Sequence, residues 1–413
     1  SYIVAVALMV VWTIATTMIG RLPRLEETFG YIEPFGFGAV DLATRYWTPV
    51  ERNMLAPPPT SILLWNRLIW CGIAAALLAL AGSLFRFTRR QPRLSRRRDE
   101  APSAALPVFN PRALPRPRFD ASARRAQYVL RLRFEIRQVL RSPAYVILLL
   151  LGIMNTIGGL TDLDEMYGTP VWPVTRVMIQ HLMGAFTMIP FIMAAFYAGE
   201  VVWREQDRKM QELVGAAPLP GWVFVLSKVP AIAIVLFTTL IAGVVVGVIY
   251  QLAHGYTHLE LGHYLLWFVL PATVSTLLTA ILAVFFQVLA PQKFVGWGLM
   301  FLYMVLRLIG GTLGLDDILY NYGRTPGMPL SDMNGVGTFW KGLLVCDLYW
   351  ACCAVILVVL CHLLWRRGAA MTLQARLAAL PSRIRGTPAA IGGAARGCFA
   401  ALGVFIFINT HVW

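Results

Sequence analysis

The feature that most constrains this chain is a series of long apolar runs with few or no charges. They cover residues 62–87, 145–160, 223–252, 264–290, 294–315 and 343–365. A bilayer core is crossed by roughly 20 apolar residues in helical form. Helices are the economical choice there, because lipid offers no water to the backbone N–H and C=O groups. Large soluble cores seldom contain so many unbroken runs. The composition agrees, with 58% hydrophobic and 14% charged residues and a mean hydropathy of +0.64. A soluble domain is nearer half apolar and about a quarter charged. The predicted fold class is an all-α polytopic membrane protein.

About nine spans can be traced, counting roughly 20 apolar residues to a span. The first is expected at 2–19 and the second at 62–87, with a long loop between. An Arg- and Pro-rich stretch, 89–126, cannot bury an apolar face and reads as an irregular linker. Residues 127–141 differ. Val129, Leu132, Ile136, Val139 and Leu140 fall on one helical stripe, and Arg131, Arg133 and Arg137 on the other. That pattern predicts an amphipathic interfacial helix. Ser142-Pro143 then turns the chain into a third span at 145–160. Further spans are expected at about 178–202, 223–252, 264–290, 294–315, 343–365 and from 398 onward.

Formal net charge is +15. Nucleic acid is a tempting partner, but no interleaved aromatics or reader fold accompany the arginines. Arg clusters between apolar spans mark a cytoplasmic side instead. Placing 89–141 inside and alternating outward puts 203–222, the Pro291-Gln292-Lys293 turn and 366–396 inside as well. The loops with Asp162, Asp164 and Glu165, with Glu260, with Asp316 and Asp317, and with Asp332 then fall outside. The six cysteines lie in or beside apolar runs, at spacings that fit neither a zinc site nor a disulfide framework. They read as reduced, small apolar residues of helices. The N-terminus has no basic region ahead of its apolar stretch, so no signal peptide is expected. Both ends read as cuts in something longer.

The segment 203–222 is short and charged in both signs: Arg204, Glu205, Asp207, Arg208, Lys209 and Glu212, then Leu213 and Pro218. An ordinary solvated loop helix would look like this, and so would a docking surface. The stretch GEVVWREQDRKMQELVGAAPLPGWVFVLSK resembles the cytoplasmic loop of ABC type-2 exporter permeases. Their pattern is E-R-E-x-x-x-x-x-x-E-L-L, small residues, then Pro. Arg204, Glu205, Glu212, Leu213 and Pro218 occupy its places, whereas Trp203 and Val214 depart from it. The resemblance implies that this loop is a coupling helix docking on an ATPase through Arg204, Glu205, Arg208, Lys209 and Glu212. It also implies that the Arg131, Arg133 and Arg137 helix is the connecting helix ahead of a permease.

The phrase EPFGFGAVDLATRYWTPVERN resembles the end of another permease half. It is similar to large bacterial proteins in which joined permease halves precede a zinc aminopeptidase. These resemblances divide the chain into 1–88 (end of a first half), 89–126 (linker), 127–367 (a six-span permease unit), 368–397 (a basic segment) and 398–413 (a final span). No H-E-x-x-H occurs in the chain, so neither zinc nor peptidase activity is assigned to it. An alternative function is a membrane platform that anchors an external aminopeptidase, with little transport.

Other candidates are weaker. His254, His258, Glu260 and His263 cluster in one loop, but Gly255 and Gly262 disfavour a helical zinc pair. Interfacial histidines among tyrosines and tryptophan are the simpler reading, and no metal is expected. Arg307 lies mid-span and Asp347 near the start of the next span. Charges at such depth are functional hypotheses. They read first as an ion pair between two helices, and otherwise as an anion contact on a substrate path. Glu200 and Arg204 are expected to snorkel from the end of a span. No phosphate-binding Gly-rich loop ends in Lys-Ser/Thr. ATP and Mg would therefore sit on a partner ATPase, with no cofactor in this chain. A secondary transporter would need acidic residues mid-span, which are scarce.

The orientation is testable with single cysteines in a background lacking the native ones. A cysteine at Gln292 is expected to react with a membrane-impermeant maleimide only after permeabilisation, and one at His258 in intact cells. The reverse pattern would overturn the assignment.

Overall fold

A computed structural model describes residues 26–57, 61–84, 120–163, 171–186, 188–315, 317–331, 333, 335–366 and 372–412. The expected span at 2–19, the linker at 89–119, Asp164, Glu165, Asp316 and Asp332 lie outside them. The chain divides into two compact units, residues 8–118 and residues 1–7 with 119–413. Seven helices among the described residues are long and apolar enough to cross a bilayer. This is the architecture of a multi-pass all-α membrane protein.

In the smaller unit, α1 (Glu26–Ile32), α2 (Phe37–Thr44) and α3 (Pro49–Met54) precede the apolar α4 (Ser61–Leu84). The C-terminal carbonyls of a helix lack intrahelical partners. Here the first turns of α4 supply them. Asn66 Nδ2 donates to the carbonyls of Gly30, Tyr31 and Glu33 at 3.0, 3.1 and 2.7 Å. Trp70 Nε1 donates to Ile32 O at 3.1 Å, and Arg67 donates to Phe35 O. Gly36 has φ +77°, a left-handed conformation that favours glycine, and the Arg67 guanidinium packs against it. Thr48 and Glu51 form a capping box at the start of α3. The distinctive phrase at 33–53 is thus a small helical cap on α4.

The larger unit opens with α5 (Ala121–Leu140) and α6 (Pro143–Leu163). Asp120 caps α5 by accepting from the Ala123 amide at 2.9 Å. Ser142 makes the turn expected of it, and Pro143 opens α6. The expected span at 178–202 is broken into two helices, α7 (Thr175–Ala185) and α8 (Met188–Asp207). Together they are long and apolar enough for one span, but they are bent by 43°. Pro190 lacks the N–H a continuous helix needs, and suits a first turn.

Then follow α9 (Gln211–Ala216), α10 (Gly221–Ala253), α11 (Leu261–Leu289), α12 (Lys293–Gly310) and α13 (Phe339–Leu363). A π-helical turn, Tyr264–Val269, sits just ahead of Pro271 in α11. The short helices α14 (Leu373–Ala378) and α15 (Leu380–Arg383) lead to α16 (Thr387–Phe407), extended by a π turn, Ile408–Val412. The last span therefore begins at Thr387 rather than at residue 398. Its small residues tolerate the bilayer, and Arg396 folds its Nε back onto Gly392 O at 3.2 Å.

One core unites α5, α6, α8, α10, α11, α12, α13 and α16, with Met193, Tyr197, Ile232, Val284 and Tyr349 among its buried residues. Trp203 Nε1 donates to Gln287 Oε1 at 2.8 Å, tying α8 to α11. Gly199 allows α12 to close in, since a Cβ there would overlap the Trp297 indole. The loop before α13 is pinned from below: the Tyr303 hydroxyl donates to Tyr322 O at 2.9 Å, Tyr349 to Leu319 O at 2.8 Å and Trp350 Nε1 to Arg324 O at 2.9 Å.

Asn66→Leu would leave three carbonyls without their donor. It is expected to destabilise the α1–α4 cap by about 1–3 kcal/mol and to speed limited proteolysis within 26–44. An unchanged cleavage rate would count against this account of the phrase at 33–53.

Candidate functional site

The charged side chains of the larger unit gather where α8, α11 and α13 end and α10 and α12 begin. At the centre is Glu135 of α5, whose side chain is 1% exposed. Lys228 of α10 is fully buried beside it, with Nζ 3.2 Å from Glu135 Oε1 and 2.7 Å from Val201 O. Arg131, one turn before Glu135, lies 3.0 Å from it. Arg131 also pairs with Glu205, and Arg204 pairs with Glu135. Lys228 reaches Glu205 at 3.5 Å. Three cations and two carboxylates thus lock α5, α8 and α10 together. Burying an unpaired charge is prohibitive, so each of these side chains requires the others.

Burial opposes the ionisation of Glu135. The charges of Lys228, Arg204 and Arg131 outweigh it and hold the carboxyl below its ordinary value of 4.5. The surrounding packing is aromatic. The Arg131 guanidinium lies 5.7 Å from the Phe224 ring, and Tyr128 packs on Trp222 at 5.6 Å.

Two further groups brace the same end. Lys293 pairs with Glu200, lies 3.3 Å from Asp207 and stands 5.3 Å from the Trp297 ring. Three arginines from beyond α13 serve as C-terminal caps. Arg366 donates to Ala290 O and stacks on Trp203 at 4.3 Å. Arg376, almost fully buried, donates to Val288 O at 2.8 Å and Leu364 O at 2.9 Å. Arg383 donates to Leu363 O at 2.9 Å. A cavity of about 370 Å³ lies here, lined by Glu205, Gln206, Gln211, Trp365, Arg366 and Arg376 among others.

The loop outside this bracing is built differently. Helix α8 ends with Lys209 at φ +54°, the only positive-φ residue other than glycine among those described. The Met210 amide donates to Glu205 O at 2.8 Å and the Lys209 amide to Gln206 O at 2.9 Å. This is a Schellman-type stop with lysine where glycine is usual. The exposed turn carries Arg208, Lys209, Met210, Glu212 and Leu213, the last 73% exposed. Pro218 and Pro220 then lead into α10.

The residues singled out in the sequence therefore separate. Arg208, Lys209 and Glu212 face outward on the loop, and Arg133 and Arg137 are exposed on α5. Arg204, Glu205 and Arg131 turn inward to the cluster, so Arg204 and Glu200 are paired rather than snorkelling. Sequence reasoning missed Glu135 and Lys228. Both carried a signal: the lone acid in an Arg-rich helix and the lone cation in a long apolar run. Of the expected apolar stripe of α5, Val139 is buried, Leu132, Ile136 and Leu140 are half-buried and Val129 is exposed, as are Leu130 and Phe134. Arg131, expected on the polar face, instead packs inward beside Glu135.

Arg307 follows Tyr303 by one turn on α12, and among the described residues no ion pair joins it to Asp347. The two side chains sit on different helices without meeting. In the histidine loop, His263 lies 3.2 Å from Glu260 and stacks on Trp267 at 3.9 Å, and His254 bonds Tyr250 O. Among the described residues, no three His, Cys, Asp or Glu side chains converge to hold a metal. No protein-family model, curated protein or solved structure matches this chain.

Glu135→Gln leaves three cations against one carboxylate and is expected to destabilise the protein by about 3–5 kcal/mol. Lys228→Met leaves the remaining charges balanced and is expected to do less harm. Equal losses in thermal unfolding of the detergent-solubilised protein would contradict the cluster. Glu135 contributes stability above its unfolded value of 4.5, and that contribution is lost as pH falls through its depressed folded value. The acid limb of wild-type stability below pH 4.5 is expected to flatten in Glu135→Gln.

Proposed function

We propose that this chain is the transmembrane permease subunit of a type-2 ABC exporter in a bacterial inner membrane. A separate cytoplasmic ATPase, carrying ATP and Mg, would dock on the turn formed by Arg208, Lys209, Met210, Glu212 and Leu213. The observation that carries this reading is an exposed charged and apolar turn rooted directly on a buried charge cluster. A solvated loop has no need of such a root, whereas a loop that transmits force does. Lys209 in a left-handed conformation adds to this, because backbone strain of that kind collects at functional positions.

In this reading, closure of two ATPase subunits pushes on α9. Arg204 and Glu205 pass the displacement to Glu135, Arg131 and Lys228, so α5, α8 and α10 tilt together. The exposed Val129, Leu130 and Phe134 of α5 suit a helix lying at the lipid boundary, able to move with the others. The resemblance of 199–228 to exporter coupling loops supports the same role. A second permease half or copy would complete the path.

The test is a pull-down of the protein from solubilised native membranes, with mass spectrometry and an ATPase assay. Wild type is expected to bring down a nucleotide-binding subunit. Leu213→Glu and Glu212→Lys are each expected to reduce the co-purified ATPase activity about tenfold or more, as loss of an interface anchor does. Unchanged activity in both variants, or no ATPase with wild type, would refute the docking assignment.

A further inference from the structure

A second cavity, of about 540 Å³, lies in the larger unit between α7, α8, α11, α12 and the segment at 325–328. Its volume falls in the range of sites that enclose one small molecule. Phe186, Phe191, Phe268, Met304 and Met328 make the wall mostly apolar. One charged residue lines it, Arg307, and no acidic side chain among the lining residues neutralises it.

The partners of Arg307 are informative. Tyr303, one turn before it on α12, is its neighbouring polar side chain. The Tyr303 hydroxyl donates its one proton to Tyr322 O at 2.9 Å, which leaves it only acceptor capacity for the guanidinium. A phenol accepts one bond and brings no negative charge, while a guanidinium offers five N–H donors. The hydroxyls of Thr276 and Thr279 are turned onto carbonyls of their own helix, at 3.0 and 2.9 Å. The cavity thus offers an apolar surface with a single cationic donor at its margin. A wholly apolar ligand would leave that donor unused, and a cation would be repelled.

We propose that this cavity binds a single-chain amphiphile with an anionic head, its head on Arg307 and its chain against the phenylalanine wall. Carboxylate and phosphate heads share the planar or tripodal oxygens that a guanidinium engages in two parallel bonds. This site does not depend on the exporter reading, because binding is measured on the purified chain with no ATPase present.

The probe is a dansylated undecanoic acid, with its methyl ester as the uncharged control. Fluorescence titrations use the full chain in nanodiscs of zwitterionic phosphatidylcholine. Arg307→Gln is expected to weaken the acid about tenfold or more, the value of a charge-assisted contact, and to leave the ester unchanged. Arg307→Lys is expected to retain most of the acid's affinity. Ser275 is exposed at the cavity wall, and Ser275→Trp is expected to weaken acid and ester alike by filling the space. Equal binding of the acid to wild type and Arg307→Gln would overturn the proposal. So would binding that Ser275→Trp leaves intact, which would place the probe on the lipid-facing surface.

Discussion

Glu135 is the residue on which the larger unit's charged end depends. It is buried on α5, a helix that carries arginines along most of its length, and it accepts from cations on three helices. Lys228 could not otherwise be buried in an apolar run of α10, because an ammonium without a partner is too costly there. Arg204 and Glu205 could not otherwise lie inward at the end of α8. The cluster is therefore more than a stabilising ornament. Buried ion pairs contribute little net stability, since desolvation offsets most of their attraction. Removing one partner, by contrast, strands a buried charge, so α5, α8 and α10 are held to this pairing.

The remaining bracing follows from the bilayer. Helices that end near the membrane surface leave four carbonyls each without partners. Here arginines that follow α13 reach back to those carbonyls, on α11 as well as on α13. Lys293 does the corresponding work at the start of α12, through Glu200 and Asp207. The positive residues that suggest orientation in the sequence are thus also the ones that close the helix ends. The opposite end is held by neutral donors, Tyr303, Tyr349 and Trp350, under the loop before α13.

The described spans α4, α6, α10, α11, α12 and α13 were legible because apolar length is a property of contiguous residues. The turn at Ser142-Pro143 and the short helix at 211–216 were legible for similarly local reasons. What escaped was pairing across sequence distance. Nothing near Glu135 in the chain announces Lys228, and nothing near Asn66 announces the carbonyls of Gly30 and Glu33. The α5 stripe was legible, but Arg131 reads as part of the polar face because nothing local shows that the carboxylates of Glu135 and Glu205 turn it inward. The break between α7 and α8 was concealed by continuous hydropathy, although Pro190 was a visible sign. Arg307 falls in the last turn of α12 rather than mid-span, and Asp347 in the first half of α13; lying on successive spans did not make them partners.

The central claim is that α5 and the loop after α8 move as one body through the charge cluster. Hydrogen exchange on the full-length protein in nanodiscs, wild type against Glu135→Gln, tests it directly. Amides of 204–216 are expected to exchange faster in the variant, in step with those of 127–140, although the substitution lies on α5 alone. Faster exchange confined to 127–140, with 204–216 unchanged, would contradict the claim and leave the loop mechanically separate from α5.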